Sequence, residues 1–536
     1  MKAHILDALN KRQYDGEIFV ENGKIVDIVE CQIPADSPYV LPGFVDSHIH
    51  IESSMVLPEN FGAVALRHGT VAVVTDPHEI ANVLGVDGVK MMIASSKKSP
   101  MNFCFCVPSC VPATNLETSG ATLGPKEVEE LMALPEVYGL AEMMFCGGVT
   151  GEIPEVMAKL AAAKKFGKVI DGHAPGLTGA DLKKYADSGV STDHECVNLD
   201  EGRERLKVGM MVQIREGSAA KDFEALSPLL ADEGDNVMFC SDDKHPDDLL
   251  KGHINLLVKR ALQKGYPLWN VLRAAGVNAV KHYSLPVGLL QKGDSADFAV
   301  VDNLQDFNVL ATYVKGEKQE NLPQQTVTGE LPNNFHAVPL TLEDLKVKPE
   351  SDKLKVIVAS EGSLVTGQAF ATPKIADETV VSDVENDVLK LVVYNRYQPT
   401  KPAVAFIKGI GLKSGALGST VAHDSHNIIA VGTNDKALLT VINDLVAMRG
   451  GLSACTDDLT VSHLNLPIGG LMSNETVETV AEGLSNLRRK AHDLGTPLAA
   501  PFMTLSFMAL PVIPDLKITD KGLFDVTKFE FTTLFA

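Results

Sequence analysis

From residue 41 onward, short apolar runs alternate with helix-length segments of mixed polarity, the pattern of repeated βαβ units on a parallel sheet. Eight runs have strand length: 41–50, 71–78, 102–109, 137–144, 168–173, 189–195, 209–216 and 236–243. Between them, 57–68, 79–98, 125–134, 152–166, 178–188, 198–207 and 220–233 have helix length. Eight such alternations predict an α/β fold, a closed (β/α)8 barrel over residues 41–283. A doubly wound open sheet would call for a glycine-rich phosphate turn, which this stretch lacks.

The pattern differs on either side of the barrel. Residues 16–30 read as two short strands around an Asn-Gly turn, and 285–303 and 309–317 have the same texture. Residues 1–40 and 284–320 are therefore expected to form one small composite β domain interrupted by the barrel. Residues 321–350 are rich in Pro, Asn, Gln and Thr and read as a linker. Strand-like runs near 354, 403 and 427 alternate with helical segments 434–448 and 474–494, predicting a C-terminal α+β domain over 350–536.

Composition narrows the partners. A hydrophobic content of 45% with 22% charged residues is globular, and a formal charge of −21 opposes a nucleic-acid partner, which requires clustered Lys and Arg. No apolar run reaches membrane-spanning length, and the N-terminal stretch lacks a signal-peptide core, so no membrane partner and a cytoplasmic location are expected. Cysteines at 31, 104, 106, 110, 146, 196, 240 and 455 are scattered, and several fall in apolar strands, as reduced thiols do. The alternation around Cys104, Cys106 and Cys110 reads as strand rather than as a zinc knuckle.

The chemistry lies at the strand ends. In FVDSHIHIESS, His48 and His50 share one face of a strand, about 6.6 Å apart along the backbone. Alone, such a pair also fits a polar strand end. The other barrel strands add Asp76 and His78, Glu142, His173, then Asp193, His194 and Glu195, and finally Asp242 and Asp243. A buried set of this charge density requires cations. Four histidines (His48, His50, His173, His194) with Glu142 as a bridging carboxylate and Asp242 make a two-metal site. Its donors are imidazole and carboxylate without thiolate, which suits Mn, Fe or Zn. Two ions about 3.5–4 Å apart bring the pKa of a shared hydroxide source towards neutrality, and Asp242 is placed to take its proton.

His48-x-His50, His173, His194 and Asp242 together resemble the amidohydrolase superfamily. Glu142 stands where many binuclear members carry a carbamylated lysine, which disfavours hydantoinase and dihydroorotase readings. The segments LPGFVDSHIHIESS, DPHEIANVLG, YGLAEMM, DGHAPG, STDHE, REGSAAKD, CSDDKHP, VAHDSHNIIAVGTND and LPVIPDLKITDKGLFDV are similar to the bacterial-type adenine deaminases and span nearly the whole chain.

The resemblance implies a metal-dependent hydrolase barrel that converts adenine to hypoxanthine and ammonia in purine salvage. It implies two divalent ions, manganese first; a homo-oligomer is expected, with the number of chains left open. Activated hydroxide attacks C6, Asp242 carries the proton to the leaving amine, and Glu142 and His194 share the catalytic work. Glu216, Glu52 and Asp243 are open candidates for the acid at N1. Asp243, Glu216, His78, His423 and His426 are expected to bind substrate. His78 either faces the site or caps the following helix. The loop bearing His423 and His426 either closes the pocket or forms a local turn network. Amino-sugar deacetylation or opening of a cyclic amide are the rival reactions of the same superfamily. A catalytically silent binding module is the rival of another class. The H-x-E/P-C-x-x-C signature of the other zinc deaminases is incomplete here, since P-C-x-x-C is absent.

Overall fold

A computed structural model describes all 536 residues, which fold as two compact units. Unit 1 comprises Met1–Pro77, Lys90–Cys110 and Leu123–Gln325; unit 2 comprises His78–Val89, Val111–Thr122 and Thr326–Ala536.

Unit 1 opens with strands Lys2–Asp7 (β1), Arg12–Glu21 (β2), Lys24–Glu30 (β3) and Tyr39–Pro42 (β4). Asn22 and Gly23 join β2 to β3 with positive φ at both positions (49° and 78°), the conformation an Asn-Gly hairpin selects. Nine strands follow: Phe44–His50 (β5), Thr70–Thr75 (β6), Asn102–Val107 (β7), Val137–Met143 (β8), Val169–Gly172 (β9), Thr192–Asp193 (β10), Met211–Arg215 (β11), Val237–Cys240 (β12) and Asp242–Asp243 (β13). Phe298–Val301 (β14), Val309–Val314 (β15) and Glu317–Lys318 (β16) complete the unit. The outer strands form one sheet in the order β16-β15-β14-β4-β1-β2-β3, so segments far apart in the chain share one ladder.

β5 to β9 pair in parallel and in chain order, as do β10 to β12. A bridge between Ile170 and Val190 links the two groups. β13 pairs with β5, placing Asp242 opposite Ile49 and Asp243 opposite His50. The result is a curled parallel sheet in keeping with a (β/α)8 barrel. Every residue of β5 and β6 is buried, because helices cover one face and side chains fill the other. That is why these strands read as continuous apolar runs. The predicted helix after β6 spans His78–Ser96 and breaks at Gly85, whose φ of 61° an L side chain adopts only with strain.

Unit 2 is built on an eight-stranded sheet. Its spatial order is Gly367–Ala371, Leu354–Val358, Ala403–Lys408, Leu389–Tyr394, Ile428–Gly432, Ala416–Ser419, Gly451–Cys455 and Val461–Asn465. The helix Asp435–Met448 is capped by Asn434, whose side chain accepts the Ala437 N–H. It buries Leu438, Val441 and Leu445 against Val392, Ala416 and Ala430. The stretch 321–350, which composition marks as a linker, contributes Phe335, Leu340 and Leu345 to that same core. Its apolar residues are too irregularly spaced to show a period, yet these three are buried. No helix is long and apolar enough to cross a membrane. All eight cysteines are free thiols, with Cys104 and Cys106 buried in β7.

Candidate active site

In unit 1, the C-terminal ends of five strands bring six of the expected residues together. His48 and His50 project from the same face of β5, their rings edge to face at 4.8 Å. His194, just past β10, stacks on His48 at 4.1 Å. Glu142 on β8 is the hub. Its Oε1 lies 3.3 Å from His50 Nε2, and its Oε2 lies 2.7 Å from His173 Nδ1 and 3.2 Å from His194 Nε2. Asp242 Oδ1 stands 3.1 Å from His50 Nε2 and 3.7 Å from His48 Nε2. All six are buried except His173, which is partly so.

The residues present fit divalent cations. Ligands of one ion each sit about 2.0–2.2 Å from it and so stand roughly 3 Å or more from each other. Most of the spacings above have that width. His48 Nε2 and His194 Nδ1 are buried without a hydrogen-bond partner. His50 Nδ1 lies 3.0 Å from the Asp76 carbonyl oxygen, so it carries the proton and leaves the Nε2 lone pair facing the carboxylates. Electrostatics agree. Burial alone would raise the Glu142 carboxyl, but His173, His194 and His50 hold it well below its usual range. Burial would likewise lower His194, yet Glu142 and Glu195 hold it well above its ordinary value. The pocket favours positive charge.

Arg215 supplies part of that charge. It ends β11 and is buried, with Nη1 3.0 Å from Asp242 Oδ2 and Nε 2.9 Å from Asp222 Oδ2. The same guanidinium pairs closely with Glu195. Burial would raise Asp242, but the neighbouring His48 and His50 imidazoles and the Arg215 charge keep it well below the carboxylate range. Its φ of 56° is left-handed, a region that Asp tolerates better than most residues. Behind the cluster, Arg205 Nε holds Asp193 Oδ2 at 2.8 Å, and Asp193 Oδ1 accepts the Ala174 and Glu195 N–H groups at 3.2 and 3.0 Å. Asp193 thus fixes the backbone just after His173 and just after His194.

The remaining expected residues have further partners. Asp243 Oδ1 accepts a 2.5 Å hydrogen bond from Ser53 Oγ, and Glu52 is buried in the turn Ile51–Ser54. Glu216 pairs with Arg260 Nη1 at 2.6 Å and accepts the Phe223 N–H, so its carboxylate is not brought to the cluster. Strand parity explains this: Gln213 and Arg215 share the inward face, and Gln213 reaches the Ser47 carbonyl at 2.8 Å. The same parity was the available signal for Arg215.

His78, His423 and His426 belong to unit 2, where they gather around Glu79, which sequence reasoning passed over. His423 Nδ1 lies 2.6 Å from Glu79 Oε1, and His426 Nε2 pairs closely with Oε2. His78 Nε2 is 3.4 Å from Glu79 Oε1 and 3.9 Å from Asp424 Oδ1. Burial pushes His426 down from 6.5 to about 4. Between those values the unfolded chain takes a proton there and the folded chain does not, so acidification destabilises the fold across this window. The cost at pH 5 is about 2 kcal/mol. Calorimetry is expected to show a fall in melting temperature from pH 7 to pH 5 that is shallower in His426→Asn; equal slopes would remove this residue as the cause.

Comparison with known proteins places these observations. Residues 39–318 match the amidohydrolase family, and residues 363–530 match the adenine deaminase C-terminal domain. An adenine deaminase of Methanosarcina mazei is 50% identical over 550 residues, covering 99% of this chain and 98% of that protein. An adenine deaminase of Parabacteroides distasonis is 47% identical, covering 100% of this chain and 98% of the relative. Among solved structures, a β-aspartyl dipeptidase from Fervidobacterium islandicum AW-1 is 18% identical with a TM-score of 0.46, covering 61% of this chain and 98% of that one.

Proposed function

The chain belongs to the adenine deaminases of the amidohydrolase family, and from that premise we propose how its residues convert adenine to hypoxanthine and ammonia. The eight parallel strands close as a (β/α)8 barrel, a reading supported by the β13–β5 pairing and the Ile170–Val190 bridge. His48, His50, Glu142, His173, His194 and Asp242 hold two divalent ions, manganese first, with iron or zinc as alternatives; the thiolate-free donor set supports this. Bound there, such ions supply Lewis acidity and lower the pKa of water towards neutrality.

The chain's own residues do the rest. Asp242 takes a proton from the attacking water as its oxygen bonds to C6 of the purine. Arg215 holds the other oxygen of that carboxylate, which supports Oδ1 as the accepting atom. A carboxyl protonates N1, and with Glu216 engaged by Arg260, Asp243 and Glu52 are the remaining candidates. His194, stacked on His48, orients the tetrahedral adduct. Asp242 then returns its proton to the exocyclic amine, the C6–N6 bond breaks and ammonia leaves, while the remaining hydroxyl proton on O6 passes to the carboxylate that protonated N1, restoring that acid and giving hypoxanthine. His78, His423 and His426 serve the substrate side. The enzyme works as a homo-oligomer in the cytoplasm, a location the free thiols support.

The observation that carries the reading is Glu142, one carboxylate touching imidazoles from three other strand ends. The test is release of ammonia from adenine, adenosine and cytosine, and of acetate from an N-acetyl amino sugar, before and after chelation. Adenine alone is expected to react, with activity lost on chelation and restored by manganese. Acetate release, or full activity of the metal-stripped chain, would overturn it.

A further inference from the structure

The cluster around Glu79 contains the residue types of a metal site, but its geometry is that of a hydrogen-bonded clamp. Glu79 is buried, and both of its oxygens are taken by imidazoles at hydrogen-bond range rather than at ligand-to-ligand spacing. The tautomers agree. The Ala422 N–H donates to His426 Nδ1 at 3.3 Å, so in the neutral ring the proton sits on Nε2 and points at Glu79. A metal at Nε2 would require the opposite tautomer, the one His50 adopts in unit 1. His423 is fixed independently by stacking on Phe507 at 4.5 Å. The two imidazoles come from one short loop, in which the His426 N–H bonds the Ala422 carbonyl at 2.7 Å. The carboxylate comes from a segment more than 300 residues earlier, as the separation of 347 between Glu79 and His426 shows.

We propose that Glu79, clamped by His423 and His426, is a positioning residue for the deamination: it holds His78 in register, so that the loop around residue 424 governs turnover without touching the reacting atoms. His78 precedes Glu79 in the first turn of the helix, and its Nε2 faces Glu79 on one side and Asp424 on the other. Its carbonyl accepts the Asn82 side-chain amide at 3.0 Å, which fixes the backbone at the start of the helix. The inference rests on the substrate-side role proposed for His78. His423 and His426 then serve the substrate side through Glu79 and His78.

A double-mutant cycle tests it, using Glu79→Gln, His78→Asn and the pair, with kcat and KM for adenine measured on metal-loaded full-length protein. Misplacing one positioned group is expected to cost about 10²-fold in kcat, with KM within about threefold. Because both changes remove the same arrangement, the pair is expected to lose no more than the worse single variant. His426→Asn, which leaves Glu79 and His423 in contact, is expected to lose less than Glu79→Gln and keeps the test open should that variant fold poorly. Additive losses, or wild-type kcat in Glu79→Gln, would overturn the clamp. So would a third manganese per chain by elemental analysis that disappears in Glu79→Gln. The wild-type rate on adenine, measured alongside, tests the deaminase reading separately.

Discussion

Asp242→Asn is expected to fold normally and lose turnover by about 10³-fold, the scale of removing a general acid–base group. Asn has nearly the same size and tolerates the left-handed backbone that position 242 requires. Arg215 needs an acceptor, so the remaining oxygen of the amide turns to it and the NH2 faces His48 and His50. An amide nitrogen there accepts no proton and binds no cation. The loss therefore appears in kcat for ammonia release, with retained circular dichroism and reduced metal content. Activity within tenfold of wild type would remove Asp242 from its assigned role.

Arg215→Gln is expected to produce the largest loss of stability. It leaves Glu195 and Asp242 buried, and Asp222 half-buried, around a neutral amide. Removing one partner of a buried ion pair costs about 3–5 kcal/mol, since the stranded charge keeps its desolvation penalty. For a unit of this size the melting temperature falls by about 10 °C. Divalent cations supply positive charge to the same carboxylates, so added manganese is expected to recover more melting temperature in the variant than in the wild type. A variant that melts with the wild type in the absence of metal would show that Arg215 is dispensable to the charge balance.

Much of unit 1 was legible because burial on two faces leaves a simple mark: parallel strands become uninterrupted apolar runs, and their ends are where polarity returns. His48, His50, Glu142, His173, His194 and Asp242 all stood at such ends and all converge. Direction was harder to read. Arg215 and Glu216 are neighbours, and only counting back to Gln213 assigns the arginine inward and the glutamate to Arg260. Partnership across the chain was not legible. Glu79 looks like an ordinary acid in a first helical turn, and only the fold shows two histidines from position 423 onward reaching its oxygens. The stretch 321–350 misled for a related reason, because isolated residues such as Phe335 and Leu345 carry no periodicity and find their core only in three dimensions.

The interleaving of the two units has a consequence for biosynthesis. His78–Val89 and Val111–Thr122 leave the ribosome early, yet the sheet and helices they pack with are encoded after residue 326. At ordinary translation speeds those segments wait tens of seconds for their partners. A nascent chain of this protein spends that interval with apolar side chains such as Ile80 and Val83 uncovered, an opening for chaperone capture or for exchange with a neighbouring nascent chain. Neither unit can be transplanted into another protein as a single contiguous stretch.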